Sequence, residues 1–281
     1  MIQENYKLTK EQIQHFNVFG FVVRRNVFSP EEIAKINKEA NRRLASTQKE
    51  TDSERKLNSY SWFNRNLETQ FTASLLEDPR IYVPSEQLVG NDSIPINSGT
   101  SSTDEGIGWH PDRQDHHICI LKNLMYLHPT STNRGALRVI PGSHKDPMHA
   151  KLLRIGLNIK PGQKKSQYLE KSGLNGKDIP CYIFSSNPGD IIILDELLWH
   201  AAYNGYKDRR LCYFNFYRNP KTPAQTESMK KEVAKLAETE KTQKFGGLQY
   251  HSWWLENPDN NPRRKRWINW LKDWGFVKSN A

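Results

Sequence analysis

Two tripeptides in the chain set a histidine two residues ahead of an aspartate: His110-Pro111-Asp112 and His144-Lys145-Asp146. Such a step can deliver an imidazole and a carboxylate to a metal ion from one short segment. With a second imidazole from elsewhere, it completes two nitrogens and one oxygen on one metal face. That donor set, with the remaining positions open, holds non-haem iron(II) for chemistry with O2. In a chain with 9 histidines a single His-X-Asp match carries little weight alone, so context has to separate the two. His110 follows Gly108-Trp109 and stands just before an apolar run that begins at Ile118. His144 follows the turn signal Pro141-Gly142 and leads into a polar stretch. The first pair is therefore preferred.

His200 is the candidate third ligand. It follows the turn Pro188-Gly189-Asp190, the β-branched run Ile191–Leu194 and a short connection. Arg210, with Arg209 beside it, opens the next strand. 2-Oxoglutarate chelates iron through its keto-acid end, and its far carboxylate needs a buried cation. A guanidinium meets a carboxylate with two parallel hydrogen bonds, which an ammonium cannot do.

The elements that must position these residues can be read from patterning. Thr9 with Gln12 and Ser29 with Glu32 fit capping boxes, and Pro30 occupies the favoured first helical position. Ile33, Ile36, Ala40 and Leu44 give the second helix one apolar face. Gly20–Val23 reads as a short buried strand between the two helices. Residues 47–57 read as a loop or a helix end. Ile118–Leu127, Ala136–Ile140, Ile191–Leu194 and Leu211–Tyr217 read as strands, and Lys145–Pro180 as a polar excursion from the sheet. Short strands separated by turns predict a β-sandwich or jelly roll over a βαβ sheet. After Thr222 the chain turns helical. Trp267, Trp270, Leu271 and Trp274 fall at helical spacing, as a face packed on the barrel, a lid or a subunit contact would.

Three blocks resemble the phytanoyl-CoA dioxygenase family. They are Gly108-Trp109-His110-Pro111-Asp112, the stretch Gly135–Lys145, and Pro188-Gly189-Asp190 through His200, Asn204 and Arg210. The Phe16–Phe28 stretch is also similar, so the resemblance covers roughly residues 8–220. It implies a mainly β fold with flanking helices (α+β), built on a double-stranded β-helix, the cupin-like jelly roll. It implies Fe(II), 2-oxoglutarate as cosubstrate and O2, with release of succinate and CO2. Residue by residue, it implies His110, Asp112 and His200 as metal ligands and Arg210 as the 2-oxoglutarate arginine. The step from His200 to Asn204 is one residue shorter than the family's, which keeps Arg209 in contention. Asn97 resembles a 2-oxoglutarate contact in one branch of the family. The presence of Asp112, where related halogenases carry a small residue, favours hydroxylation, with desaturation or ring closure open.

Length and composition fit a single domain over 1–281, with a core of about 8–220 and a Trp-rich helical extension over about 222–281. Hydrophobic residues at 36% and charged residues at 26% describe a folded chain, not a disordered one. No apolar run is long enough to span a bilayer, and Met1–Lys10 lacks the apolar core of a signal peptide, so a cytoplasmic protein is expected. The 3 cysteines form no CxxC pair and read as free thiols. The net charge of +10, with the run Arg263–Arg266, reads as a solvated basic face. The partner expected is a small-molecule substrate, for which the basic balance favours an anion; nucleic acid is not expected. The rival reading is a cupin-like metal-binding protein without turnover.

Overall fold

A computed structural model describes residues 6–50, 59–63, 67–103, 106–158, 166–207, 209–243, 250 and 252–277. The first third runs α1 (Lys10–Phe19), β1 (Phe21–Arg24), α2 (Pro30–Glu50), β2 (Ser59–Phe63), α3 (Gln70–Ser74), α4 (Pro79–Val89) and β3 (Ile94–Thr103). Then come β4 (Ile107–His110), β5 (Ile120–Tyr126), β6 (Leu137–Val139), α5 (Met148–Arg154), α6 (Gln167–Ser172) and β7 (Tyr182–Phe184). The last part holds β8 (Ile191–Asp195), β9 (His200–Ala202), β10 (Arg210–Tyr217), α7 (Pro223–Gln243), α8 (Ser252–Glu256) and α9 (Pro262–Asp273).

Both expected capping boxes form. Thr9 and Gln12 exchange bonds at the start of α1, and Ser29 and Glu32 do so at the start of α2. Ile33, Ile36 and Ala40 are buried along one face of α2; the Leu44 side chain and residues 51–58 lie outside the described residues. Gly20 ends α1 at φ 82°, a conformation glycine adopts without strain. A side chain there would also strike His144 and Leu198.

The strands form two antiparallel sheets, β1-β8-β5-β10-β3-β2 and β4-β9-β6-β7. They make the double-stranded β-helix, and the sequence-based fold class holds. Ile191–Leu194 carries no polar alternation because β8 is covered on both sides. Ile192 and Leu194 face the barrel interior with Leu124, Tyr126, Leu137 and Phe184. Ile191 and Ile193 face outward, in one core with Ile36, Ile81, Phe214, Phe216, Trp267 and Leu271. The excursion Lys145–Pro180 contains α5 and α6, which its polarity had hidden; α5 also begins without a side-chain cap.

The Trp-rich helix α9 packs on the outer face of the large sheet, with Trp267 and Leu271 fully buried. The basic run is a solvated face only in part: Lys265 and Arg266 are exposed, whereas Arg263 and Arg264 turn inward. Arg264 is 5% exposed and pairs in a fork with Glu77 at 2.8 and 2.7 Å. Arg263 pairs with Glu86 and covers the Tyr82 ring, Lys265 meets Asp259, and Arg266 lies 3.6 Å from Glu86. Glu77→Ala leaves the buried Arg264 guanidinium without its carboxylate, so a loss of about 3 kcal/mol is expected by denaturant unfolding. A loss below about 1 kcal/mol would show that the pair is not the anchor of α9. Among the described residues no helix is long and apolar enough to cross a membrane.

Candidate metal centre

His110 closes β4 and His200 opens β9, and the two pair directly across the ladder. Residues opposite each other in an antiparallel pair share a face, so the imidazoles meet, with ring centroids 4.4 Å apart. Asp112 lies two residues beyond the end of β4, on an irregular segment. Its Oδ1 is 3.8 Å from His110 Nε2 and its Oδ2 is 3.7 Å from His200 Nε2. The three donor atoms all lie within 4.8 Å of one another. Among the described residues this is the only cluster of its kind, and His144-Lys145-Asp146 takes no part in it.

Backbone carbonyls fix which nitrogen each ring offers. His110 Nδ1 is 2.8 Å from Gly108 O, and His200 Nδ1 is 2.9 Å from Leu198 O. A neutral ring therefore donates from Nδ1 and presents the Nε2 lone pair to the centre. Burial pushes the His200 imidazole down to about 4, more than Asp112 pulls it up, so it is neutral at pH 7. Burial works against charge on Asp112 too, but Lys122, His200 and His110 outweigh it and hold the carboxyl well below the usual carboxylate range. Two imidazoles and one carboxylate fit a divalent iron ion.

The aromatic neighbours brace the ligands. Trp109 and Trp199, each beside one of the two histidines, are fully buried in one cluster, and Trp109 donates to Gly176 O at 2.8 Å. Ser143 Oγ accepts the Trp199 amide at 2.9 Å, and the Ile140 amide donates to Trp199 O at 2.9 Å. The Pro141–His144 turn thus supports the strand that carries His200. His144 itself lies under Gly20, and the exposed His116 meets His149 edge to face; neither belongs to the cluster.

Lys122 is the site residue that sequence reading missed. It sits mid-strand in β5, and its ammonium bonds Asp112 and lies 3.6 Å from Glu196. Burial opposes its charge, but Asp112 and Glu196 keep it protonated. Its row marks the interior face of the large sheet. Lys122 pairs with Asn215, Leu124 with Tyr213 and Tyr126 with Leu211. In that row the Asn215 Oδ1 is buried and has no hydrogen-bond partner among the described residues.

The same register sets the two neighbouring arginines on opposite sides. Side chains alternate between faces along a strand, so Arg209 shares the interior parity of Leu211, Tyr213 and Asn215. Its guanidinium stands 5.9 Å from the Tyr126 ring centroid and donates to Gly135 O at 2.8 Å, and the residue is 3% exposed. Arg210 has the opposite parity and bonds Asn41 of α2, in the outer helical layer. The structure thus places Arg210, the expected 2-oxoglutarate arginine, on the α2 side of β10 and Arg209 beside Tyr126. Asn97 lies on β3 opposite Asn215; its side chain lies outside the described residues. A cleft of about 350 Å³ between the Pro111–Ile118 segment and α7 opens onto Asp112.

Solved structures with the same fold include HygX from Streptomyces hygroscopicus with nickel and 2-oxoglutarate bound. It is 21% identical, with 75% of this chain and 87% of that chain covered and a TM-score of 0.57. The 2-oxoglutarate-dependent epimerase SnoN from nogalamycin biosynthesis is 19% identical over 75% and 80% of the two chains, with a TM-score of 0.55. The carbocyclase SnoK from the same biosynthesis is 16% identical over 75% and 84%, with a TM-score of 0.52. No curated protein matches the chain. The family model for phytanoyl-CoA dioxygenase (PhyH) matches residues 16–211, which span β1 through the start of β10 and every residue of the His110, Asp112 and His200 cluster. The chain belongs to the phytanoyl-CoA dioxygenase family of non-haem iron enzymes that depend on 2-oxoglutarate and O2.

Proposed function

We propose that the protein hydroxylates a C–H bond of a small organic substrate, with His110, Asp112 and His200 as its iron ligands. The observation that carries this reading is the convergence of two backbone-tied Nε2 atoms and one carboxylate within 4.8 Å. Iron, 2-oxoglutarate and O2 together supply the oxidation, with release of succinate and CO2. The chain's own part is binding and orientation. Arg209, not Arg210, is the guanidinium aimed into the barrel, and we assign it the far carboxylate of 2-oxoglutarate. Lys122 steadies Asp112 and offsets its charge. Tyr126, Leu124 and Leu194 keep water from the cosubstrate end of the barrel.

The related structures frame the substrate class. One HygX structure holds hygromycin B, and SnoN and SnoK act in nogalamycin biosynthesis. We infer a substrate of natural-product size. The net charge of +10 favours an anion among such substrates. The C-terminal helices belong to the same domain in this reading, because Trp267 and Leu271 share one core with Phe214 and Phe216. Free thiols at Cys119, Cys181 and Cys212 favour the reducing cytoplasm.

Anaerobic addition of Fe(II) and then 2-oxoglutarate should raise a visible metal-to-ligand charge-transfer band that collapses on exposure to O2 as succinate forms. A chain that binds iron but shows neither band nor succinate would instead be the metal-binding protein without turnover. Product mass after incubation with candidate substrates separates hydroxylation, a gain of one oxygen, from epimerisation or ring closure.

A further inference from the structure

Asp112 is wired to a helix that lies outside the segment matched by the family model. Five side chains of alternating charge run from the metal-facing carboxylate to α7. Lys122 bonds Asp112 and lies 3.6 Å from Glu196 Oε1. Arg113, the residue after Asp112, donates through Nε to Glu196 Oε2 at 2.9 Å and through both terminal nitrogens to the Glu232 carboxylate. Tyr217 donates its hydroxyl to Glu232 Oε1 at 3.0 Å. Glu196 and Glu232 are 4% and 6% exposed, so these charges interact with little screening by water. The Arg113 amide also donates to Glu196 O at 3.1 Å.

We propose that Glu232 of α7 is a positioning residue for Asp112, acting through Arg113, Glu196 and Lys122. The inference rests on the reading of Asp112 as a metal ligand. The two histidines are set by a β ladder, whereas Asp112 follows the end of β4 on a segment without regular structure. Its place therefore depends on side-chain anchors: Lys122, bonded to it, and Arg113, the next residue in the chain. A guanidinium held between two carboxylates is fixed in position and in plane. Without the Glu232 charge, Glu196 is the one carboxylate left to Arg113, beside the Tyr217 hydroxyl. Glu196 then does less to hold Lys122, whose ammonium falls wholly on Asp112 and competes with the metal for its oxygens. The C-terminal helix is thus part of the metal site's support as well as one wall of the cleft onto Asp112.

The test compares Fe(II) affinity, by anaerobic titration of the full chain, in the wild type, Glu232→Gln and Glu77→Gln. Glu77→Gln loosens a buried ion pair of α9 that does not reach the site. Outer-shell partners of metal ligands are typically worth 10–100-fold in metal affinity. Glu232 acts from one layer further out, so Glu232→Gln should weaken Fe(II) binding about tenfold, near the low end of that range. Glu77→Gln should lower the melting temperature and leave Fe(II) affinity at the wild-type value. The Glu232→Gln effect should vanish in a Lys122→Met background, where no ammonium competes for Asp112. If the wild type binds no Fe(II), the metal reading fails. If the wild type binds and Glu232→Gln binds equally well, or if both glutamate variants lose affinity in proportion to stability, the positioning inference is overturned. Should Glu232→Gln prove insoluble, Tyr217→Phe removes one hydrogen bond from the same carboxylate. A weakening of the same sign is then expected, and no change overturns the inference.

Discussion

Asp112→Ala should release no succinate from 2-oxoglutarate above background and should bind Fe(II) at least about 100-fold more weakly than the wild type. Outer-shell changes alone reach that figure, and this one removes a ligand outright. The substitution acts twice. It takes away the single anionic donor, leaving two imidazoles. It also strips Lys122 of its closest counter-charge, so that the ammonium retains only Glu196 at 3.6 Å. The second effect should lower the stability of the metal-free protein by about 2 kcal/mol, the scale of a hydrogen bond to a charged group. The two effects separate in the double variant Asp112→Ala/Lys122→Met. Removing both partners lets the apo stability recover, because no unpaired charge remains, while Fe(II) binding stays lost. Unfolding by denaturant and anaerobic iron titration read the two quantities independently. An Asp112→Ala protein that still turned over 2-oxoglutarate at the wild-type rate would sink the ligand assignment.

The candidate ligands were legible because two of them share one tripeptide and the third follows a readable turn and strand. Their support was not. Lys122 sits within Ile120–Tyr126, and a lysine in such a run reads from sequence as an outward-facing residue. Only the pairing of β5 with β10 turns it inward, opposite Asn215. Gly99 carries no local signal either. It is needed because the Tyr213 ring lies across it, with atoms 2.1 Å from where a side chain would begin. That demand comes from the neighbouring strand. Arg263–Arg266 looked like a solvated face because Glu77 and Glu86, which neutralise much of it, stand far away in sequence. The capping boxes, by contrast, depend on residues three apart, and both formed as read.

The neighbouring arginines show most sharply what spacing can and cannot decide. Family spacing from Asn204 selects Arg210, but side-chain direction in a strand has a period of two, and a register error of one residue exchanges the faces. The connection after His200 is one residue short, and Asn204 turns it in a left-handed conformation with φ 56°. Arg209 consequently takes the interior parity. Arg209→Ala should raise the KM for 2-oxoglutarate on the order of 100-fold, about 3 kcal/mol, the scale of losing one partner of a buried hydrogen-bonded charge pair. Arg209→Lys keeps the charge but loses the planar fork, so an increase of about tenfold is expected. Arg210→Ala should leave that KM within about threefold and instead cost about 1–2 kcal/mol of stability. It removes the bond to Asn41 and the packing of the side-chain stem between β10 and α2. Steady-state succinate release and thermal unfolding on the same three variants give the comparison. The reverse pattern, with the cosubstrate KM rising in Arg210→Ala and unchanged in Arg209→Ala, would return the role to Arg210.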